Sequence, residues 1–386
     1  MTRVLVSAGD ASGELHAAAV VDALRERIPG LDVCALGGPA LEKAGARILV
    51  EQRELAIGGL FEVLRDLARV ARAWRRMTRA LREERPDLVV LVDSPDFNLP
   101  LARRAKRLGL RVLWFISPQL WAWRRGRARK LAARVDRLAA IFPFEPGVYA
   151  GTDLRVDYVG HPLVDRLAPL LSRAPAQCRA ALGLAAERPL VALLPGSRRN
   201  ELASNLALQL AAARVLHAQD PRIAFALGVA PSIAREDVAR AVAAERLPSL
   251  LDVALIEGHT HELARAADVA LTKPGTVTVE VALLGTPQLV TARVPAASAF
   301  AMRRLVRLEH WAMPNLIAGA EVVPELLQED AQPARIADGL RALLAGPERA
   351  RQLAALARVR AALGAGGAAA RTAEIACELL AAPARA

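Results

Sequence analysis

Residues 189–202 read PLVALLPGSRRNEL, and this stretch constrains the fold more than any other. Residues 190–194 form an apolar run of strand length. Pro195, Gly196, Ser197, Arg198 and Arg199 make a tight turn, and a helical pattern starts near Asn200. A buried strand that runs through a glycine turn into a helix points to an α/β architecture with a parallel sheet. The first amides of such a helix lack internal partners, and its dipole favours an anion there. Gly196 lets a ligand approach the backbone. Ser197 offers a hydroxyl that either caps the helix or meets a phosphate oxygen, and Arg198 and Arg199 add charge. The same turn also reads as plain architecture with solvated arginines, so its guest has to be argued from the rest of the chain.

The pattern recurs. Residues 3–7 read as a strand that enters Gly9-Asp10-Ala11-Ser12-Gly13-Glu14 and then a helix through Arg27. The spacing is not G-x-G-x-x-G, so no dinucleotide site is read from it. Further strands are expected at 32–36, near 48–50, and at 87–92, 111–116 and 138–142. A second alternation gives strands at 190–194, 222–228, 252–256, 269–272 and 288–292. The expected fold class is α/β, with two Rossmann-like domains facing a cleft. Residues 1–165 are expected to form the first domain and residues 166–345 the second. Residues 346–386 supply C-terminal helices and a tail.

At 386 residues the chain can bury a large core. It has no apolar run of about 18 residues, so no transmembrane helix is expected. Three separated cysteines, Cys34, Cys178 and Cys377, show no metal-ligand spacing and suit a reducing cytoplasm. A net charge of +12 favours anionic partners, though part of the arginine and alanine content reads as genomic base composition. With aromatics at 4% and no recognisable motif, nucleic acid is disfavoured. Residues 60–85 carry Leu60, Phe61, Leu64, Leu67, Val70, Trp74, Met77 and Leu81 at helical spacing, with arginines on the other side. Such a helix packs on a core with a solvated basic face, or lies on an anionic membrane surface.

Chemistry concentrates at strand ends. Asp93 follows an apolar strand, where an acid points into the ligand crevice of an open sheet, and it is the general-base candidate. Asp96 suits the cap of the next helix. Trp121, Trp123 and Arg124 stand in a tryptophan-bearing basic cluster that suits a lipid headgroup surface or a phosphate site. Residues 271–280 repeat the strand-glycine-helix turn. Gly275, Thr276 and Thr278 are placed for phosphate, and Glu280 for ribose hydroxyls or as a plain surface acid. Gly258 marks a third strand-end turn, and Asn315 lies in a loop-like stretch. No D-x-D occurs, so arginine and helix amides, with no metal or cofactor, would neutralise a leaving diphosphate. These residues suggest glycosyl transfer from a nucleotide sugar to an acceptor at a membrane surface.

Ten stretches together resemble the lipid-A-disaccharide synthase family, inverting glycosyltransferases with a GT-B-type fold: GDASGE (9–14), ELAIGGLFEVL (54–64), VDSPDFN (92–98), ISPQLWAWRRGR (116–127), FPFE (142–145), GHPLVD (160–165), LLPGSRRNE (193–201), PGTVTVE (274–280), PNLIAG (314–319) and VPELLQ (323–328). The resemblance implies a reaction. UDP-2,3-diacylglucosamine would condense with 2,3-diacylglucosamine 1-phosphate (lipid X) to give lipid A disaccharide 1-phosphate and UDP. It implies catalytic roles for Asp93, Arg198 and Asn315. UDP contacts would come from Gly196, Ser197, Arg199, Gly258, Gly275, Thr276, Thr278 and Glu280. Acceptor or lipid contacts would come from Ser12, Gly13, Trp121, Trp123 and Arg124. It further implies a cytoplasmic enzyme held peripherally at the inner membrane, and a homodimer that exchanges C-terminal segments.

Two departures stand out. The first turn reads G-D-A-S-G-E, where the family more often has G-E-x-S-G-D. Lys273-Pro274 replaces small residues, as in related lipid and peptidoglycan glycosyltransferases, which bears on donor choice. The rival readings are another GT-B UDP-sugar enzyme, a UDP-sugar epimerase on the same architecture, and a non-catalytic lipid- or nucleotide-binding protein.

Overall fold

The computed structural model describes residues 1–55, 63–119, 127–245, 251–294 and 308–383, and of residues 63–67 and 127 only the backbone. The chain forms two compact units. Unit one comprises Met1–Pro162 and Gly364–Ala386, and unit two comprises Leu163–Leu363.

Unit one is built on a seven-stranded parallel sheet: β1 (Arg3–Ala8), β2 (Asp32–Gly37), β3 (Arg47–Glu51), β4 (Leu88–Val92), β5 (Arg111–Phe115), β6 (Arg137–Ala140) and β7 (Arg155–Tyr158). Their order is β3-β2-β1-β4-β5-β6-β7. β4 reads LVVLV and is buried at every position, as a central parallel strand covered on both faces must be. Helices α1 (Ala11–Arg27), α2 (Pro39–Lys43), α3 (Val63–Glu83) and α4 (Pro95–Arg107) link the first five strands. In α3, Ala73, Met77, Ala80 and Leu81 are buried at helical spacing, while Arg72, Arg75, Arg76, Arg79 and Arg82 face solvent. The described stretch is therefore core-packed with a solvated basic face. Leu60 and Phe61 of the expected helix lie outside the described residues.

Unit two carries a six-stranded parallel sheet: β8 (Leu190–Leu193), β9 (Ala224–Val229), β10 (Val253–Glu257), β11 (Val269–Thr272), β12 (Gln288–Ala292) and β13 (Glu325–Leu327), in the order β10-β9-β8-β11-β12-β13. Its core joins Val191, Leu193, Leu210, Leu216, Phe225, Leu271 and Leu289 with Ile336 and Leu340 from the helix Pro333–Leu344.

β7 and β13 are absent from the sequence expectation. Each is a short edge strand with little apolar signal, RVDY and ELL. β7 is held by its ladder to β6 and by Arg137, which reaches Asp157 at 2.7 Å. Such tertiary partners leave no periodic mark in the sequence. The helix Pro347–Ala362 belongs to unit two. The helix Ala368–Ala381 returns to unit one, where Arg111 donates to the carbonyls of Leu380 at 3.1 Å and Pro383 at 2.7 Å.

Candidate functional site

In unit one, β2 lies on one side of β1 and β4 on the other, so the chain leaving β1 and the chain leaving β4 run on toward opposite edges of the sheet. This is the topological switch point of an open α/β sheet, where ligands bind. The loop after β1 brings Gly9 and Asp10, and the loop after β4 brings Asp93 and Ser94. Asp10 caps α1 by accepting from the Gly13 amide at 2.7 Å. Its other carboxylate oxygen accepts from Ser94 Oγ at 3.2 Å. A Cβ on Gly9 would fall 2.6 Å from Ser94 Oγ, so the two loops meet only because residue 9 has no side chain.

Asp93 and Ser94 both sit in the left-handed region, with φ of 43° and 46°. That costs a non-glycine residue about 1–2 kcal/mol each, and such strain collects at functional sites. Asn98 holds the turn. It is fully buried, donates to the carbonyls of Asp93 at 2.9 Å and Val92 at 3.1 Å, and accepts from Ser7 Oγ at 2.7 Å. Burial, and then the charge of Asp10, push the Asp93 carboxyl up to about 6, against the pull of the Ser94 amide. A carboxylate tuned toward neutrality is suited to take a proton.

Ser94, not Asp96, stands at the cap position of α4. Pro95 is the first helical residue, and Asp96 lies exposed in the first turn. Of the acceptor-side residues, Ser12 is exposed on α1 while Gly13 is buried with its amide spent on Asp10. Glu14 is buried and structural: it accepts from the amides of Ala40 at 2.7 Å and Leu41 at 3.2 Å and so caps α2. Trp121, Trp123 and Arg124 lie outside the described residues.

Unit two repeats the switch point between β8 and β11. The turn after β8 holds Gly196 at φ 138°, and Arg198 takes the cap position of the helix Arg199–Gln219 with no side-chain cap bond. Ser197 does not cap that helix. Its amide donates to Glu201 at 3.1 Å, and its carbonyl accepts from Ser232. The other oxygen of Glu201 accepts from Lys273 Nζ at 3.0 Å and Arg198 at 3.4 Å. Glu201 therefore occupies donors that face the glycine turn. Burial works against its charge, but the hydrogen bond and charge of Lys273 outweigh it and hold the carboxyl below its ordinary value. Neither position suits a side chain: a Cβ on Gly196 would lie 2.5 Å from Glu201 Cβ, and Gly275 holds φ 130°, a conformation that residues with a Cβ rarely adopt.

Gly275 caps the helix Thr276–Leu283 from φ 130°. Thr276 is exposed there. Thr278 is buried, and its hydroxyl is spent, donating to the Gly275 carbonyl at 2.7 Å and accepting from the Met313 amide at 3.2 Å. Glu280 lies one turn in, 3.3 Å from His261. Gly258 leaves β10 at φ 73° with open space beside it. Arg199 is exposed, 3.7 Å from Asp237.

Asn315 is fully buried. Its amide donates to the Val323 carbonyl at 2.8 Å and Glu325 at 2.7 Å, and its oxygen accepts from the amides of Val322 and Val323, both at 2.8 Å. Asn315 stands in a short helix, Met313–Ala318, where a loop was expected, because Pro314 suits a first helical turn; both ends of its amide are engaged within the protein, which makes it a clasp for the segment that follows the helix. Glu325 completes the clasp by accepting from the amide of Ala312 at 2.9 Å. Sequence reasoning missed Asn98, Glu201, Lys273 and Glu325 as parts of the site. Only the unusual Lys273-Pro274 pair signalled one of them.

Known proteins resemble the chain along its whole length. The sequence profile of the lipid-A-disaccharide synthetase family matches residues 4–377. The lipid-A-disaccharide synthase of Syntrophotalea carbinolica is 42% identical over 379 residues, covering 98% of this chain and 95% of that protein. That of Anaeromyxobacter dehalogenans strain 2CP-C is 43% identical over 374 residues, covering 96% of each. Among solved structures, a UDP-GlcNAc 2-epimerase of Neisseria meningitidis bound to UDP-GlcNAc has a TM-score of 0.67 at 15% identity, covering 98% of this chain and 100% of that one. Acinetobacter baumannii MurG has a TM-score of 0.59 at 16% identity, with 98% and 100% covered. At these identities the two structures share the fold with this chain.

Proposed function

The chain belongs to the lipid-A-disaccharide synthase family and is a glycosyltransferase; from this premise we propose that it transfers diacylglucosamine from UDP-2,3-diacylglucosamine to the 6-hydroxyl of 2,3-diacylglucosamine 1-phosphate. The observation that carries the reading is Asp93, a carboxylate in a strained turn at a switch point with its pKa raised to about 6. Asp93 accepts the proton of the acceptor hydroxyl. The oxygen attacks the anomeric carbon, the bond from that carbon to the diphosphate breaks, and the configuration inverts. The diphosphate takes the electron pair and departs as UDP. Ser197 N–H, Arg198 and Lys273 meet its negative charge, and Glu280 is placed for the ribose. A preorganised donor of this kind contributes on the order of 3 kcal/mol in the transition state. Asn315 and Asn98 act as positioning residues.

The acceptor and donor both carry acyl chains, and we place the enzyme at the anionic cytoplasmic face of the inner membrane. No described helix is long and apolar enough to cross a bilayer. The exposed basic face of α3 supports contact with an anionic surface. The test is incubation with UDP-diacylglucosamine and the monosaccharide 1-phosphate, with release of UDP and formation of disaccharide as readouts. Both products in equal amount are expected. UDP binding without disaccharide would favour the non-catalytic alternative, and a changed sugar without transfer the epimerase.

A further inference from the structure

Between α3 and α4 on unit one runs an open groove of about 740 Å³ that the reaction does not use. Seven arginines line it, contributed by α3, α4 and the segment before β6, and Glu83 is the one acid among its described lining residues. Glu83 is already near Arg79, at 3.7 Å. Arg134 gives one N–H to the Leu99 carbonyl at 3.2 Å. Its pKa is lowered, first by burial and then by the charge of Arg103. Like charges are thus held together without enough counter-charge.

The bland account is that arginines near the ends of α3 and α4 offset the helix dipoles. Each helix C-terminus carries about half a negative charge. Two of them offset roughly one of the six surplus arginine charges. The remainder calls for an external anion, and guanidinium groups meet phosphate oxygens in bidentate fashion. The groove follows α3 from Trp74 to Glu83, about 14 Å of helix, which is too long for a single phosphate. Trp74 sits at one end, edge-on to Phe97 with ring centres 5.6 Å apart, an amphipathic residue suited to the level of lipid headgroups.

We propose that the α3–α4 groove binds the phosphodiester headgroups of anionic phospholipids and seats the enzyme on the bilayer that holds its substrates. The inference rests on the membrane-surface reading above and adds the place and the chemistry. Each basic residue near an anionic bilayer contributes roughly a fivefold factor in binding. Removing Arg103 and Arg107 together should therefore weaken partitioning about 25-fold.

The experiment is co-sedimentation of the full chain with vesicles of phosphatidylglycerol in phosphatidylcholine, or of phosphatidylcholine alone. It compares the wild type, Arg103→Gln/Arg107→Gln, and Arg358→Gln/Arg360→Gln, which removes the same charge from exposed positions on unit two. The expected result is salt-sensitive binding to phosphatidylglycerol vesicles that only the groove pair weakens. The groove pair should also raise KM for vesicle-embedded substrate while leaving kcat in detergent unchanged. Equal binding by wild type and groove pair would overturn the groove and leave the membrane reading standing. An equal loss in both pairs would reduce the effect to net charge and overturn the groove. No vesicle binding by the wild type would sink the membrane reading itself. Tighter binding of inorganic phosphate or duplex DNA than of vesicles would assign the groove to a different anion.

Discussion

The two units put their chemistry at the same address and give it opposite sign. Both sheets place the first strand beside the fourth, β1 by β4 and β8 by β11, and both open a crevice there. In unit one the crevice joins two carboxylates, Asp10 and Asp93, and burial and repulsion push one of them up to about 6. In unit two it joins Lys273 and Arg198 to Glu201, and the cations hold that carboxyl down. The architecture thus supplies a place, and a few side chains decide whether that place takes up a proton or holds an anion. A transferase that must deprotonate an acceptor and stabilise a leaving diphosphate needs one of each.

The largest expected effect strikes the proton side alone. Asp93→Asn should lower kcat about 1000-fold and leave the Kd for UDP unchanged. A kcat within threefold of wild type would remove Asp93 from the role and collapse the contrast between the units. Asn98→Ala strips the buried bonds that hold the strained turn, at a cost of about 3 kcal/mol in stability by chemical denaturation. Its kcat should fall with UDP affinity intact at temperatures where it is folded; normal kcat would make the asparagine purely structural.

On the anion side, Lys273→Ala should weaken UDP about tenfold by calorimetry, more at low salt, with the pH profile unmoved. Unchanged affinity would leave the lysine as a mere partner of Glu201. The pH dependence separates the sides again. Folding raises the Asp93 carboxyl above its free value of about 3.9, so its stabilising contribution is complete below about pH 4. That contribution is lost as pH rises through about 6. Asp93→Asn should therefore gain about 3 kcal/mol of stability at pH 8 and nothing at pH 4. In the wild type kcat/KM should fall on the acid side with an apparent pKa near 6, and Asp10→Asn should move that limb to lower pH. An unmoved limb would assign it to another group.

The smallest effect has the opposite direction. Glu201→Gln frees the donors that the carboxylate occupies and should tighten UDP about threefold, and the gain should vanish in the Lys273→Ala background. A weakened affinity in the single variant would show that Glu201 builds the turn instead of standing in for the ligand.

Much of this was legible in one dimension. Asp93 ends an apolar strand, and Gly196 and Gly275 sit between strand and helix. Those spacings alone marked the strand-end turns, without saying which strands are neighbours. What stayed hidden were the partners. Asn98 looked like one more residue of a helix start, because nothing in the sequence says that Ser7, 91 positions away, bonds to it. Glu201 and Lys273 are separated by 72 residues and meet only because β8 and β11 are neighbours. Thr278 and Asn315 looked like ligand contacts because hydroxyls and amides are versatile. In the structure both stand in short helices and are engaged with neighbouring groups of unit two.

The sequence by itself determined the α/β class, the two parallel sheets and the strand-end turns, because apolar runs and glycine spacing are local properties that a strand or helix reads within a few residues. The tertiary structure alone decided which strands are neighbours, which carboxylate is buried beside another, and which is neutralised by a lysine. Those are distances between residues far apart in the chain, and charge, desolvation and hydrogen bonding depend on distance in space.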